Sequence, residues 1–255
     1  MNVVVTGASA GIGRAFALQY ARAGAEVALV ARGRDRLEVV AAEVEAAGGR
    51  AHVFQADIGD RTEVEKAMSA ALERMGSVDV LVNNAGMAGG GAVTDLDIDR
   101  IERVMTVNYL GAVCATKAIL PGMLERGSGT IINVASVAGR VGLPEAAAYS
   151  ASKFAMVGFF ESLAAEVSRR GVRVVTVNPG PVRTATFPHA HLPGLLLARA
   201  DSVVRIARRA AARGSWEVSA PRYMGVAAVG RATVPPLYRT VMRALARFGS
   251  KLIIM

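Results

Sequence analysis

The feature that most constrains the fold of this chain is its alternation between two periodicities. Short apolar runs at residues 3–6, 26–31, 50–55, 80–83, 129–134 and 171–178 are separated by longer segments whose charges recur at helical spacing, as in 34–47 and 62–75. Several of the short runs are apolar almost throughout, which strands covered on both faces require. Strands separated by helices cannot close as hairpins. The pattern therefore predicts βαβ units in an α/β fold, a doubly wound parallel sheet with helices on both faces. In such sheets ligands gather beyond the carboxyl ends of the strands, and the motifs below fall there.

The 255 residues contain no linker, low-complexity run or repeat, so one domain is expected. Its expected parts are a main α/β body over 1–220, with a short lid around 185–200 and a last edge strand at 216–220, and a basic extension over 221–255 packed on that body. No run of 18 uncharged apolar residues appears, so no membrane span is expected. Strand-like sequence from Asn2 onward leaves no room for a leader in the chain as given. The single cysteine, Cys114, cannot form an internal disulfide and reads as a small thiol in an apolar helical run. Together these lead to the expectation of a cytoplasmic protein. The net charge is +9, yet the first 198 residues balance and the excess begins at Arg199. A nucleic-acid-binding fold would spread that charge over its recognition surface, so nucleic acid is not expected as a partner.

The first predicted strand runs into Thr6-Gly7-Ala8-Ser9-Ala10-Gly11-Ile12-Gly13, followed by a predicted helix over 14–23 that Gly24 closes. Gly7 permits a sharp exit from the strand, Gly11 lets backbone approach a pyrophosphate, and Gly13 lets the helix lie close on the sheet. The helix N-terminus adds free N–H groups and a partial positive charge. Gly7, Ser9, Gly11, Ile12 and Gly13 are accordingly the candidate contacts of a dinucleotide. After the second strand, where an acid would bind a ribose 2′-hydroxyl, Arg32 stands instead, with Arg34 and Arg36 beyond it. A guanidinium pairs bidentately with a 2′-phosphate, so the residue types favour NADP(H) and leave NAD(H) open. Asp35 reads as flanking the next helix.

Tyr149 and Lys153 lie one turn apart on one face of a long predicted helix that runs to Ser168. A neighbouring ammonium is expected to lower the tyrosine pKa toward a working range. Ser136 ends the fifth strand, where its hydroxyl could bond the same substrate oxygen as Tyr149.

These motifs, with Asp57, Asn83-Asn84-Ala85-Gly86, Asn108 and Asn178-Pro179-Gly180 in the same order, resemble the short-chain dehydrogenase/reductase family over residues 2–185. The resemblance implies a Rossmann fold with Ser136, Tyr149, Lys153 and Asn108 as catalytic residues. It places Asp57, with Ile58 beside it, at the adenine, and Asn84, Ala85 and Gly86 along the nucleotide ribose. Asn108 would hold a water joining Lys153 to solvent, and Tyr149 and Lys153 would also meet the nicotinamide ribose. Pro179, Gly180, Val182 and Thr184 would fix the carboxamide. The implied activity interconverts a carbonyl and an alcohol, in a homodimer or homotetramer, and the apolar composition of the chain points to a hydrophobic small molecule as substrate. A non-catalytic nucleotide-binding regulator of the same fold would be expected to lose Ser136, Tyr149 or Lys153, and all three stand here. Many NADP-using relatives carry a base just before the second glycine of the turn; Ala10 stands here, which leaves the 2′-phosphate to Arg32.

Beyond Thr184 only a short segment precedes the predicted helix at 201–213, so an open substrate mouth is expected. His189 and His191 have no third ligand in view, and no metal is expected. In 237–255, Leu237, Val241, Leu245, Phe248 and Leu252 form one helical stripe and Arg239, Arg243, Arg247 and Lys251 another. Such a helix either docks its apolar stripe on protein or lies peripherally on an anionic membrane.

Overall fold

A computed structural model describes residues 1–182 and 197–248. The strands β1 (Asn2–Thr6), β2 (Glu26–Ala31), β3 (Arg50–Gln55), β4 (Val80–Asn83), β5 (Gly129–Val134), β6 (Val172–Pro179) and β7 (Glu217–Ala220) form one sheet in the order β3-β2-β1-β4-β5-β6-β7. Every neighbouring pair is parallel. The predicted doubly wound sheet is therefore the observed one, and the 216–220 run supplies one of its edge strands, over Glu217–Ala220.

Alternation along each strand divides the core in two. Val3 and Val5 point to one face, where they meet Phe16 of α1 (Gly11–Ala21), Leu37 and Val40 of α2 (Arg34–Ala46), and Val203 and Val204 of α7 (Ala200–Ala212). Val4 points to the other, against Met68 of α3 (Arg61–Met75), Ile119 of α5 (Gly111–Glu125) and Met156 of α6 (Ala147–Val167). Asp60 caps α3, its carboxylate accepting from the N–H groups of Thr62 and Glu63. Helix α4 (Ile98–Met105), a π-helical turn (Thr106–Leu110) and α5 are continuous, and the 28-residue rod is long and apolar enough by composition to cross a membrane. Its Ala112, Ala115, Ile119 and Met123 are instead packed into the second core layer.

Helix α1 begins at Gly11, three residues earlier than the sequence pattern suggests, because Gly11 and Gly13 belong to its first turn. The order of strands reverses at β1, which pairs with β2 on one side and β4 on the other. A crevice therefore opens between the carboxyl ends of β1 and β4. After β7 the chain forms a short 3-10 turn, α8 (Val226–Thr233) and α9 (Pro235–Phe248). Arg231 ties α8 to the body: its Nη1 donates to the Arg140 carbonyl at 2.9 Å, and its guanidinium lies 4.9 Å from the Phe154 ring centre. Helix α9 packs on α8, and its Leu237 and Val241 remain exposed.

Candidate active site

The β1 and β4 ends are locked by a hydroxyl. Thr6 Oγ1 donates to the Val82 carbonyl at 3.3 Å and accepts from the N–H groups of Asn84 (3.0 Å) and Ala85 (3.1 Å). Asn84 returns the contact, its Nδ2 donating to the carbonyls of Thr6 and Gly7. Gly7 has φ +64, and a Cβ there would sit 2.8 Å from Ala85 Cα. A Cβ on Gly13 would lie 2.2 Å from the Gly7 carbonyl oxygen, so α1 can rest on this turn only as glycine. The cap position Ala10 offers no side-chain hydrogen bond, and the first turn of α1 holds no acid. Its leading N–H groups thus keep their capacity for an anion in the crevice. This bare, glycine-lined helix end fits a pyrophosphate, with Ser9 and Ile12 in the same turn.

Arg32 follows β2 directly, is exposed, and has its carbonyl held by Gln55 Nε2 at 3.0 Å. Arg34 pairs with Glu38 at 3.1 Å and Arg36 curls back over Gly33. Asp35 lies in the first turn of α2, whose cap makes no side-chain bond. Of the three arginines, Arg32 is the one whose charge acts on Asp57. Burial pushes the Asp57 carboxyl up, but the Gly59 N–H at 2.8 Å, the Arg103 guanidinium at 2.5 Å and the Arg32 charge outweigh it, leaving Asp57 below the usual carboxylate range. Nothing local in the sequence links Arg103, on α4, to a residue on another element, and motif spacing misses it. Ile58 is buried in the core, where a Cβ on Gly111 would lie 2.3 Å from its Cγ2. Only its backbone is left for a ligand.

Ser136 follows β5 in extended conformation and accepts from the Ala138 N–H at 3.1 Å. The following turn lies so close to α6 that a Cβ on Gly139 would be 2.7 Å from the Lys153 carbonyl oxygen. That approach sets the Ser136 hydroxyl near enough to Tyr149 to act on the titration of its phenol. Lys153 is 3% exposed, and its Nζ lies 5.8 Å from the Tyr149 ring centre and donates to the Val134 carbonyl at 3.0 Å. Burial, with no described carboxylate offsetting it, lowers the ammonium to about 8. Burial likewise pushes the Tyr149 phenol up, and the Ser136 hydroxyl only partly offsets this. The expectation that Lys153 pulls the tyrosine down is corrected here: desolvation outweighs a cation held at that distance and turned toward a backbone carbonyl.

Asn108 sits in the π-helical turn, fully buried. Its Oδ1 accepts from Met87 N, and its Nδ2 donates to the Met87 carbonyl and to Ser152 Oγ, each at 2.7–3.0 Å. Ser152 in turn donates to the Tyr149 carbonyl at 2.7 Å, so the π turn braces α6 at Tyr149. A Cβ on Gly86 would lie 3.3 Å from Asn108 Oδ1 and 3.7 Å from Lys153 Nζ. Ser152 and Gly139 are positioning residues that the motif spacing does not reveal.

At the end of β6, Asn178 Nδ2 donates to Glu217, which is ion-paired with Arg140 four residues beyond Ser136. Gly180 N donates to the Ala220 carbonyl at 2.9 Å, and Val182 is buried beside Ala198. Thr184, His189, His191 and residues 183–196 of the lid lie outside the described residues, as do Lys251 and Leu252.

The sequence model of the short chain dehydrogenase family matches residues 1–191. The chain belongs to the short-chain dehydrogenase/reductase family. As such it is a dehydrogenase/reductase that uses a nicotinamide dinucleotide. It is 46% identical over 180 residues, 71% of each chain, to 2-(S)-hydroxypropyl-CoM dehydrogenase 3 of Xanthobacter autotrophicus. It is 43% identical over 183 residues, 71% of this chain and 70% of the relative, to a putative ketoacyl reductase of Streptomyces coelicolor. Among solved structures it resembles a variant of actinorhodin polyketide ketoreductase with NADPH, at TM-score 0.78 and 33% identity, over 86% of this chain and 94% of that one. Residues after 191, including α7 to α9, fall outside the family match.

Proposed function

We propose that this short-chain dehydrogenase/reductase transfers hydride between NADP(H) and a carbonyl or alcohol on a hydrophobic small molecule. The observation that carries the reading is Tyr149 one turn from a buried Lys153 whose Nζ lies 5.8 Å from its ring, with Ser136 at the end of β5 on the turn that packs against that helix. Bound there, the cofactor supplies the hydride.

The chain's own groups supply the rest. Ser136 and Tyr149 hold the substrate oxygen, and Tyr149, kept protonated by burial, carries at its phenol oxygen the proton that the developing alkoxide needs. Lys153, mostly charged near neutral pH, steadies the phenolate left behind. Asn108 and Ser152 hold the helix turn that carries both. The preference for a 2′-phosphate is supported by Arg32, exposed at the β2 end where an acid would select the free hydroxyl. A ketoreductase with NADPH among the structural relatives supports the same cofactor, and a ketoacyl reductase among the sequence relatives supports a ketone substrate.

A homo-oligomer belongs to this proposal. Along α6 beside the π-helical turn, Tyr109, Phe159 and Leu163 line an open groove of about 350 Å³ that a second copy could cover. The lone half-buried thiol of Cys114 suits a reducing, cytoplasmic compartment.

The test is a parallel fluorescence titration with NADPH and NADH on the parent and on Arg32→Gln. Tenfold or tighter binding of NADPH, lost in the variant, is expected, since a charge-assisted contact contributes about 1.5–3 kcal/mol. A parent that prefers NADH overturns the cofactor assignment, and a parent that binds neither overturns the enzyme reading.

A further inference from the structure

Glu217 is the last acidic residue of the sequence, and Arg222, Arg231, Arg239, Arg243, Arg247 and Lys251 follow it. The described part of this segment presents an apolar face that the monomer does not cover. Along α9, Tyr238, Met242 and Leu245 are half-buried, while Leu237 and Val241 are 61% and 49% exposed. Val226 and Val229 of α8, at 69% and 59%, and Val234 between the helices, at 46%, are exposed as well. Arg239 and Arg243 are exposed on the side of α9 opposite Leu237 and Val241.

We propose that α8 and α9 together form a docking face for an anionic lipid surface. Exposed apolar side chains gathered on one face mark an interaction site. Arginines along an apolar stripe, with no carboxylate in the segment, match the charge of acidic headgroups. Tyr223, half exposed just before α8, adds an amphipathic ring of the kind that settles at headgroup depth. A second copy suits the face less well, because self-pairing would bring two basic segments together with no acid to relieve them.

The face is also joined to the active site by side-chain contacts. Arg231 bonds the Arg140 carbonyl and covers Phe154, the residue after Lys153, and Met224 lies 3.1 Å from where a Cβ on Gly180 would stand.

The experiment is sedimentation of the full chain with vesicles of phosphatidylcholine, with and without one third phosphatidylglycerol, at low and high salt. Binding that needs the anionic lipid and fades with salt is expected. Arg239→Gln with Arg243→Gln is expected to weaken it tenfold or more, as about 1 kcal/mol per basic residue converts to about fivefold each. Leu237→Gln with Val241→Gln is expected to abolish it, and both variants are expected to melt where the parent does. Partitioning that ignores the anionic lipid, survives either double substitution, or does not occur overturns the proposal. Light scattering that shows a dimer lost in the Leu237→Gln/Val241→Gln variant, with no vesicle binding, assigns the face to a second copy instead.

Discussion

Lys153 is an ammonium held in the interior against a backbone carbonyl, and its burial lowers the stability of the fold. Its pKa of about 8 in the folded protein lies below the unfolded value, so between pH 8 and 10.5 the unfolded chain binds more protons. The penalty is full below about pH 8 and is relieved as pH rises through that window. Above it, the raised pKa values of Tyr149 and Tyr20 act the other way, because their phenols resist ionising when buried. Lys153→Met is expected to abolish turnover yet raise stability at neutral pH by on the order of 3 kcal/mol, and to flatten the rise in melting temperature above pH 8. Chemical denaturation at pH 7 and pH 9.5 checks this; equal losses of stability at both would show that the ammonium is well solvated. Tyr149→Phe is expected to keep cofactor affinity and lose roughly 10²–10⁴ in turnover, the scale of a positioned proton donor. A variant with near-parental kcat would remove Tyr149 from the reaction.

At the scale of elements, the glycine turn and α1 form one steric unit. Gly13→Ala would press a methyl to 2.2 Å from a backbone oxygen that cannot yield without moving β1. It is expected to cost about 1–3 kcal/mol and weaken dinucleotide binding in the same variant. Calorimetric melting and a binding titration measure the two together. The three glycines and the Tyr149–Lys153 spacing were legible in the sequence because each obeys a local rule: a positive φ, a close approach, one helical turn. Arg103 obeys none. Its bond to Asp57 spans 46 positions and joins α4 to the β3 end. Arg103→Met is expected to cost about 1 kcal/mol, less than a buried charged hydrogen bond because the partners are 39% and 28% exposed, and to raise the cofactor KM several-fold with kcat unchanged. A fall in kcat at constant KM would give Arg103 a different role.

For the whole molecule, the two core layers on either face of the sheet draw on α1–α3 and α5–α7, and among the described residues α9 adds nothing to them. A chain ending at Val234 is therefore expected to melt within a few degrees of the parent, because surface changes away from the core cost little. A large drop in thermal denaturation would mean that α9 belongs to the folded body. By itself the sequence determined the parallel α/β sheet, the glycine turn after β1 and the one-turn spacing of Tyr149 and Lys153 on a single helix, because periodicity and short-range spacing carry that information. Only the tertiary structure decided that burial governs the titration of Tyr149 and Lys153. The same is true of the Asn108–Ser152 brace across 44 positions and the bond from Asn84 N–H to the Thr6 hydroxyl across 78. Desolvation and long-range hydrogen bonds depend on which elements become neighbours, and the strand order β3-β2-β1-β4-β5-β6-β7 sets those neighbours.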